Sequence, residues 1–219
     1  MKLSRALSRT LVMLAGLFML GGALAADPAE EGVDYRRLAR PLPVETGKEI
    51  EVVEFFWYRC PHCSQLQPGL SAWAQKLPAD VKLRPVPAVL NQSWLPAAKL
   101  SYALEDMGAL HRLHDEVFRA YHKDNLDLDN EAELLAWVKK QGLDAARFQS
   151  AYNSFSVQTR AMKGAQLARN AGIAGVPTLM VDGKYLTSIS MTYTEERLFE
   201  VLDQLIERAR RERSGPLRK

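Results

Sequence analysis

A run of β-branched and aromatic residues, Ile50–Tyr58 (IEVVEFFWY), leads within two positions to Cys60-Pro61-His62-Cys63, and these two cysteines are the only ones in the chain. Such a run reads as a buried central strand. Pro61 suits the first turn of a helix, because the N–H it lacks would have no partner there. A strand that ends at a helix start, with two thiols at the joint, confines the chain to α/β arrangements in which strand and helix pack together.

The rest of the pattern agrees. A helical pattern runs from about Pro61 to Leu77, bent at Pro68, and Val81–Val89 (VKLRPVPAV) gives a second strand, whose two prolines predict a short or irregular one. Ahead of both, the polar segment Asp27–Gly47 is an entry stretch with at most a short edge strand near Val44. From Pro96 to about Gly172 the pattern is helical throughout. Leu100, Ala103, Leu104, Met107, Leu110, His114, Val117, Phe118 and Tyr121 trace one stripe at helical spacing. Asp129 or Asn130 can cap a helix over Glu131–Lys140 that stops at Gly142, Asp144 can cap the next, and Gly164 marks a break before a helix ending at Gly172. Gly175-Val176-Pro177-Thr178 then enters a strand, Leu179–Val181, with a two-residue turn at Asp182-Gly183 and a return strand, Lys184–Thr187. Thr194 caps a last helix that buries Leu198, Val201, Leu202 and Leu205. A βαβ half and a ββα half can therefore share one sheet, with the helical block inserted between them.

The first residues are of another kind. Met1–Thr10 carries three positive charges, Leu11–Leu20 is apolar apart from Gly16, and Ala23-Leu24-Ala25 offers small residues where a signal peptidase reads. This is a three-part export signal, cleaved after Ala25. The alternative is an uncleaved anchor, but the apolar stretch of about 16 residues is short of the roughly 20 a spanning helix needs. Without Lys2, Arg5 and Arg9 the chain holds 26 basic and 26 acidic residues, which leaves no electrostatic footprint for nucleic acid. The cations Arg208, Arg210, Arg211, Arg213, Arg218 and Lys219 read as a solvated or frayed tail, with a weak anionic contact as the alternative. Export also puts the cysteines in an oxidising space where a disulfide persists.

A zinc site would need two of His62, His111, His114 and His122, and His62 lies between the thiols. His114, on the apolar stripe, reads as a core histidine. A structural bridge closing so short a loop contributes only ~2 kcal/mol before strain. A redox pair accounts for the placement better. The unpaired amides and dipole of the helix start favour a thiolate at Cys60, and His62 adds a hydrogen bond or a charge. Each unit by which the Cys60 pKa falls below ambient pH stabilises the reduced form by ~1.4 kcal/mol, or ~30 mV. Cys60 is then the exposed, attacked sulfur of a disulfide donor and Cys63 the buried resolving thiol. Glu54 shares a strand face with Ile50, Val52, Phe56 and Tyr58. Burial there would raise its pKa and let it exchange a proton with Cys63, unless it reaches water at the strand end. Val176-Pro177 can be cis, and the N–H and C=O of Val176 can pair with an extended substrate, though an ordinary trans turn fits the spacing as well.

With Cys-Pro-His-Cys after FFWY, Gly-Val-Pro-Thr before a hairpin, Tyr152-Asn153-Ser154-Phe155 in a helical block and an export signal ahead, the chain resembles the DsbA family of periplasmic thiol:disulfide oxidoreductases. The resemblance implies an α/β thioredoxin fold with an inserted helical subdomain. The division is then a signal at 1–25, thioredoxin parts at 26–90 and 173–219, and the insertion at 91–172. It implies a protein disulfide oxidoreductase that acts as a monomer in the periplasm and needs no cofactor beyond its Cys60–Cys63 disulfide. Its partners would be unfolded or reduced exported proteins, with reoxidation by a DsbB-type quinone-linked membrane oxidase. It places the nucleophile on Cys60, the second cysteine on Cys63, the dipeptide on Pro61 and His62, the buried acid on Glu54 and the cis-proline on Pro177. Many members keep a lysine near the buried acid, where this chain has Arg84 or Pro85. A disulfide isomerase or reductase, and an exported binding or chaperone module with a structural bridge, are the alternatives.

Overall fold

The computed structural model describes residues 27–215. The export signal read at 1–25, and Arg218 and Lys219, lie outside the described residues. In chain order the elements are β1 (Arg36–Arg37), β2 (Ile50–Phe56), α1 (Pro61–Ala74), β3 (Val81–Pro87), α2 (Leu95–Asp106), α3 (Leu110–His122), α4 (Glu131–Lys140), α5 (Ala145–Tyr152), α6 (Phe155–Asn170), β4 (Thr178–Val181), β5 (Tyr185–Thr187), α7 (Ile189–Thr192) and α8 (Glu195–Ser214). A single 3₁₀ turn, Gln92–Trp94, precedes α2.

The strands form one mixed sheet in the order β1-β5-β4-β2-β3, with β2 and β3 parallel and the other neighbours antiparallel. All seven residues of β2 are buried, because the strand is central and covered on both faces. On one side Ile50 and Val52 pack with α1 and α8 through Leu66, Leu70, Leu198 and Leu202. On the other, Val53 and Phe55 pack with Ala168 and Ala171 at the end of α6. Beyond Glu54, Phe56 and Tyr58 enter a third core, shared by Cys60, Cys63 and the helical block. The thiols thus sit where the end of the sheet meets the insertion.

Several expectations are corrected. β3 is a regular seven-residue strand despite its prolines. The amide of Ala88 points into β2, at Phe56 O, so residues 85 and 87, of the opposite parity, would aim their N–H groups at the open edge. On an edge strand, proline at those positions removes no ladder bond. The short edge strand is Arg36–Arg37 against β5, not a segment near Val44. The stripe from Leu100 to Tyr121 spans two helices, α2 and α3, which part at Gly108 with φ +66°. The later break falls at Asn153–Ser154, where Ser154 caps α6, whereas Gly164 lies inside α6. A Cβ at Gly164 would come within 2.8 Å of the Tyr102 hydroxyl and 3.2 Å of Val86. The hairpin turn takes one residue more than expected, since Val181 pairs with Tyr185. The C-terminal arginines up to Arg213 belong to α8, where Arg208, Arg210 and Arg213 are engaged rather than frayed and Arg211 is exposed. Arg210 pairs with Asp80 at 2.7 Å, Arg213 donates to backbone carbonyls of Lys48 and Glu49, and Arg208 lies over the Tyr35 ring.

Candidate active site

Cys60 is the N-cap of α1, with extended backbone (φ −78°, ψ 117°), and Pro61 opens the helix as its spacing predicts. The Cys60 amide donates to Trp57 O at 2.9 Å, a bond that turns the chain from β2 into α1. Both cysteines are free thiols in this structure. Cys60 is 8% exposed and Cys63 fully buried, so the order of accessibility is as expected, while Cys60 is less open than the word exposed implies. The cause is the loop ahead of β4, which packs over it. The Cys60 Sγ donates to Val176 O at 3.4 Å, and the Val176-Pro177 bond is cis.

The Cys60 thiol is lowered from its ordinary value to about 6. The largest cause is the Cys63 S–H, which donates to the Cys60 sulfur. The backbone amides of Cys63 and His62 and the charge of His62 add to it, against burial. The helix start thus acts as expected, but the first contributor is the neighbouring thiol, whose aim depends on side-chain positions the spacing does not specify. Cys63 is pushed far up, first by burial and then by the sulfur of Cys60. One sulfur therefore ionises easily and the other does so only with difficulty. His62 is exposed, its Nδ1 lying 3.4 Å from Gln65 Oε1.

Glu54 is buried with its side chain 1% exposed, so it does not reach water at a strand end. Its charge is among the influences that raise the Cys63 pKa, which places it within electrostatic reach of that thiol. Register puts Pro85 opposite Glu54 and Arg84 opposite Val53. Arg84 turns away from the site and donates to Glu51, Nε to Oε2 at 3.0 Å.

Three features of the site escape sequence reasoning. His114 is buried as a core histidine should be, edge-on to Phe56 and Phe118, yet its Nε2 lies 3.8 Å from Glu54 Oε2. Tyr58 shares a 2.9 Å hydrogen bond with His114 Nδ1, and its carbonyl takes His122 Nε2, also at 2.9 Å. Trp57 stacks on Trp94 with ring centres 4.1 Å apart, tying the start of the site to the turn before α2. The helical stripe did mark His114, but its partner could not be read from it.

Beside the thiols lies an open groove of about 940 Å³, lined among others by His62, Ile173, Val176, Pro177, Ile189 and Met191. A mostly apolar wall with the backbone of Val176 at its edge can hold an extended chain against Cys60.

A family model described as "DSBA-like thioredoxin domain" matches residues 51–205. The chain is 38% identical over 198 residues to the thiol:disulfide interchange protein DsbA of Pseudomonas aeruginosa, covering 90% of this chain and 94% of that one. It is 40% identical over 203 residues to the protein of the same description from Azotobacter vinelandii, covering 90% and 95%. Among solved structures, P. aeruginosa DsbA superposes with a TM-score of 0.81 at 37% identity, over 87% of this chain and 99% of that one. The oxidoreductase DsbA of Xylella fastidiosa gives 0.78 at 29% identity, over 85% and 99%.

Proposed function

The chain belongs to the DsbA family of thioredoxin-fold proteins, and from that premise we propose that it oxidises reduced, unfolded proteins after their export, donating the Cys60–Cys63 disulfide to them. The observation that carries this reading is the asymmetry of the pair: the Cys60 thiol lowered to about 6 at a helix start, and Cys63 buried and pushed up beside it.

A substrate thiolate attacks Cys60 Sγ. The Cys60–Cys63 bond breaks, its electron pair goes to Cys63, and Cys63 takes up a proton. A second substrate thiolate then attacks the substrate sulfur of the mixed disulfide, and Cys60 leaves as a thiolate. The substrate dithiol is oxidised and the chain's disulfide reduced, with no other oxidant in the cycle. The stabilised thiolate makes Cys60 a good leaving group and weakens the bond it gives up. Pro61 opens the helix that aims its amides at Cys60, and His62 supports the thiolate. Val176 and Pro177 present the substrate strand, and Glu54 exchanges the Cys63 proton.

The cycle closes with reoxidation by a DsbB-type quinone-linked membrane protein, and the work takes place in the periplasm after removal of 1–25. Among the described residues no helix is long and apolar enough to cross a membrane. We further assign thioredoxin parts to 26–90 and 173–219 and the insertion to 91–172, a partition supported by α2–α6 falling between the strands of the sheet. The chain works as a monomer and needs no cofactor beyond its disulfide.

Alkylation of the reduced chain across pH tests the reading. The Cys60 rate should rise with a midpoint at about 6, and a midpoint near the ordinary thiol value of 9.0 would contradict it. Because the folded value is lowered, the stability this thiolate lends the reduced chain is complete above the ordinary value and is lost as pH falls through about 6. The reduced chain should therefore outlast the oxidised one in urea by a margin that grows with pH over that window.

A further inference from the structure

Glu54 lies at the seam between two cores, and its surroundings give it little. Among the described residues neither Glu54 Oε1 nor His114 Nε2 makes a hydrogen bond, although both atoms are buried. Buried polar atoms are normally paired, so two unpaired ones on neighbouring side chains call for an explanation. The strand beside Glu54 provides no cation, since Pro85 stands opposite and Arg84 is turned to Glu51. His114 comes instead from α3 in the insertion. Its Nδ1 is held by Tyr58, whose phenol burial keeps neutral. That leaves Nε2, at 3.8 Å from Glu54 Oε2, a gap that one water or a small side-chain shift spans. His114 also lines a cleft of about 600 Å³ between α1, β3 and α3 that opens to the surface past Lys82, His111 and Asp115.

We propose that His114 is a positioning residue that relays protons between Glu54 and the solvent in this cleft, a role that rests on Glu54 being the proton partner of Cys63. When the disulfide is donated, Cys63 leaves with the electron pair of the broken bond and takes the proton of the Glu54 carboxyl. The Glu54 carboxylate takes the Nε2 proton of the His114 imidazolium, and the neutral imidazole, with Nδ1–H donating to the Tyr58 oxygen, regains a proton from cleft water. When the pair is reoxidised the steps run in reverse: the His114 imidazolium releases its Nε2 proton to cleft water, the Glu54 carboxyl gives its own to Nε2, and the Cys63 proton passes to the Glu54 carboxylate. The charged or titratable groups around His114 are Glu54 on β2 and Tyr58 beyond it, Lys82 on β3, Cys63 on α1 through Glu54, and His111 and Asp115 on α3. Asp115 is held by Gln67 and Ser71 of α1.

The relay is tested by mixing the reduced full-length chain with oxidised glutathione, quenching with acid, and following the Cys60–glutathione mixed disulfide by mass. Glu54→Gln should lengthen its lifetime about a hundredfold and His114→Gln about tenfold. The His114→Gln variant should lose one titration from the pH profile of resolution while Cys60 alkylation is unchanged. The double variant should be no slower than Glu54→Gln alone. An unchanged lifetime in His114→Gln, or slowing that multiplies in the double variant, overturns the relay and leaves Glu54 in place. An unchanged lifetime in Glu54→Gln overturns the reading of Glu54 itself. If His114→Gln does not fold, the ¹⁵N signals of the native His114 ring decide. They should respond to the redox state of the pair, and that response should vanish in Glu54→Gln; signals indifferent to redox state overturn the relay.

Discussion

Glu51 and Glu54 are buried on the same strand, side chains 0% and 1% exposed, but on opposite faces of the sheet. Glu51 accepts the Arg84 guanidinium through both oxygens, at 3.0 and 3.4 Å, and the backbone amide of Glu45 at 3.0 Å. Glu54 has a histidine at 3.8 Å, an oxygen without a partner, and the resolving thiol within electrostatic reach. A buried carboxylate that is fully paired holds structure, and its proton has little reason to move. One left under-paired beside a thiol that must gain and lose a proton is suited to chemistry. The difference lies in what the neighbouring elements bring to each face, since the residue type and the strand are the same.

Removing the counter-charge probes the structural end most severely. Arg84→Met should lower stability by about 3 kcal/mol, because an ion left buried without its partner is costly. Urea unfolding would report it, and the exchange rate of the folded fraction should stay as it was. A loss confined to activity would reverse the assignment of the two acids. Neutralising each acid in turn gives a smaller and more telling contrast. Glu51→Gln should cost about 1.5 kcal/mol through its charge-assisted bonds, with normal exchange. Glu54→Gln, which breaks no hydrogen bond among the described residues, should cost less stability than Glu51→Gln and show instead in mixed-disulfide lifetime. The finest test is Pro85→Lys, which brings an ammonium to the strand position opposite Glu54. The new N–H faces the open edge, so stability should change by no more than about 1 kcal/mol. A lysine there should partly restore resolution in a His114→Gln background, by about threefold. No restoration would mean that a cation at this strand position cannot serve Glu54.

Much of this was legible in the chain. The strand Ile50–Phe56, the thiols at a helix start, the capping by Asn130, Asp144 and Thr194 and the hairpin after Val181 all follow from neighbours a few positions apart. The cap at Ser154 was not among them, since the sequence marked Gly164 for that break. The stripe from Leu100 to Tyr121 hid the turn at Gly108, because helical spacing can keep its phase across a short interruption. The prolines of β3 misled because their harm depends on whether the strand has a neighbour on that side, which only the sheet order decides.

The sequence alone therefore determined the alternation of strand and helix, the joint that carries Cys60 and Cys63, and the helix-start amides that favour a thiolate at the first of them, since these depend on groups within one helical turn. The tertiary structure decided which buried acid is neutralised and which is left open, and it brought His114 to Glu54 through Tyr58, 56 residues away in the chain. Packing sets such pairings. A carboxylate's behaviour depends on every charge and donor within a few ångströms, and those groups arrive from strands and helices whose order along the chain does not give their distance in space.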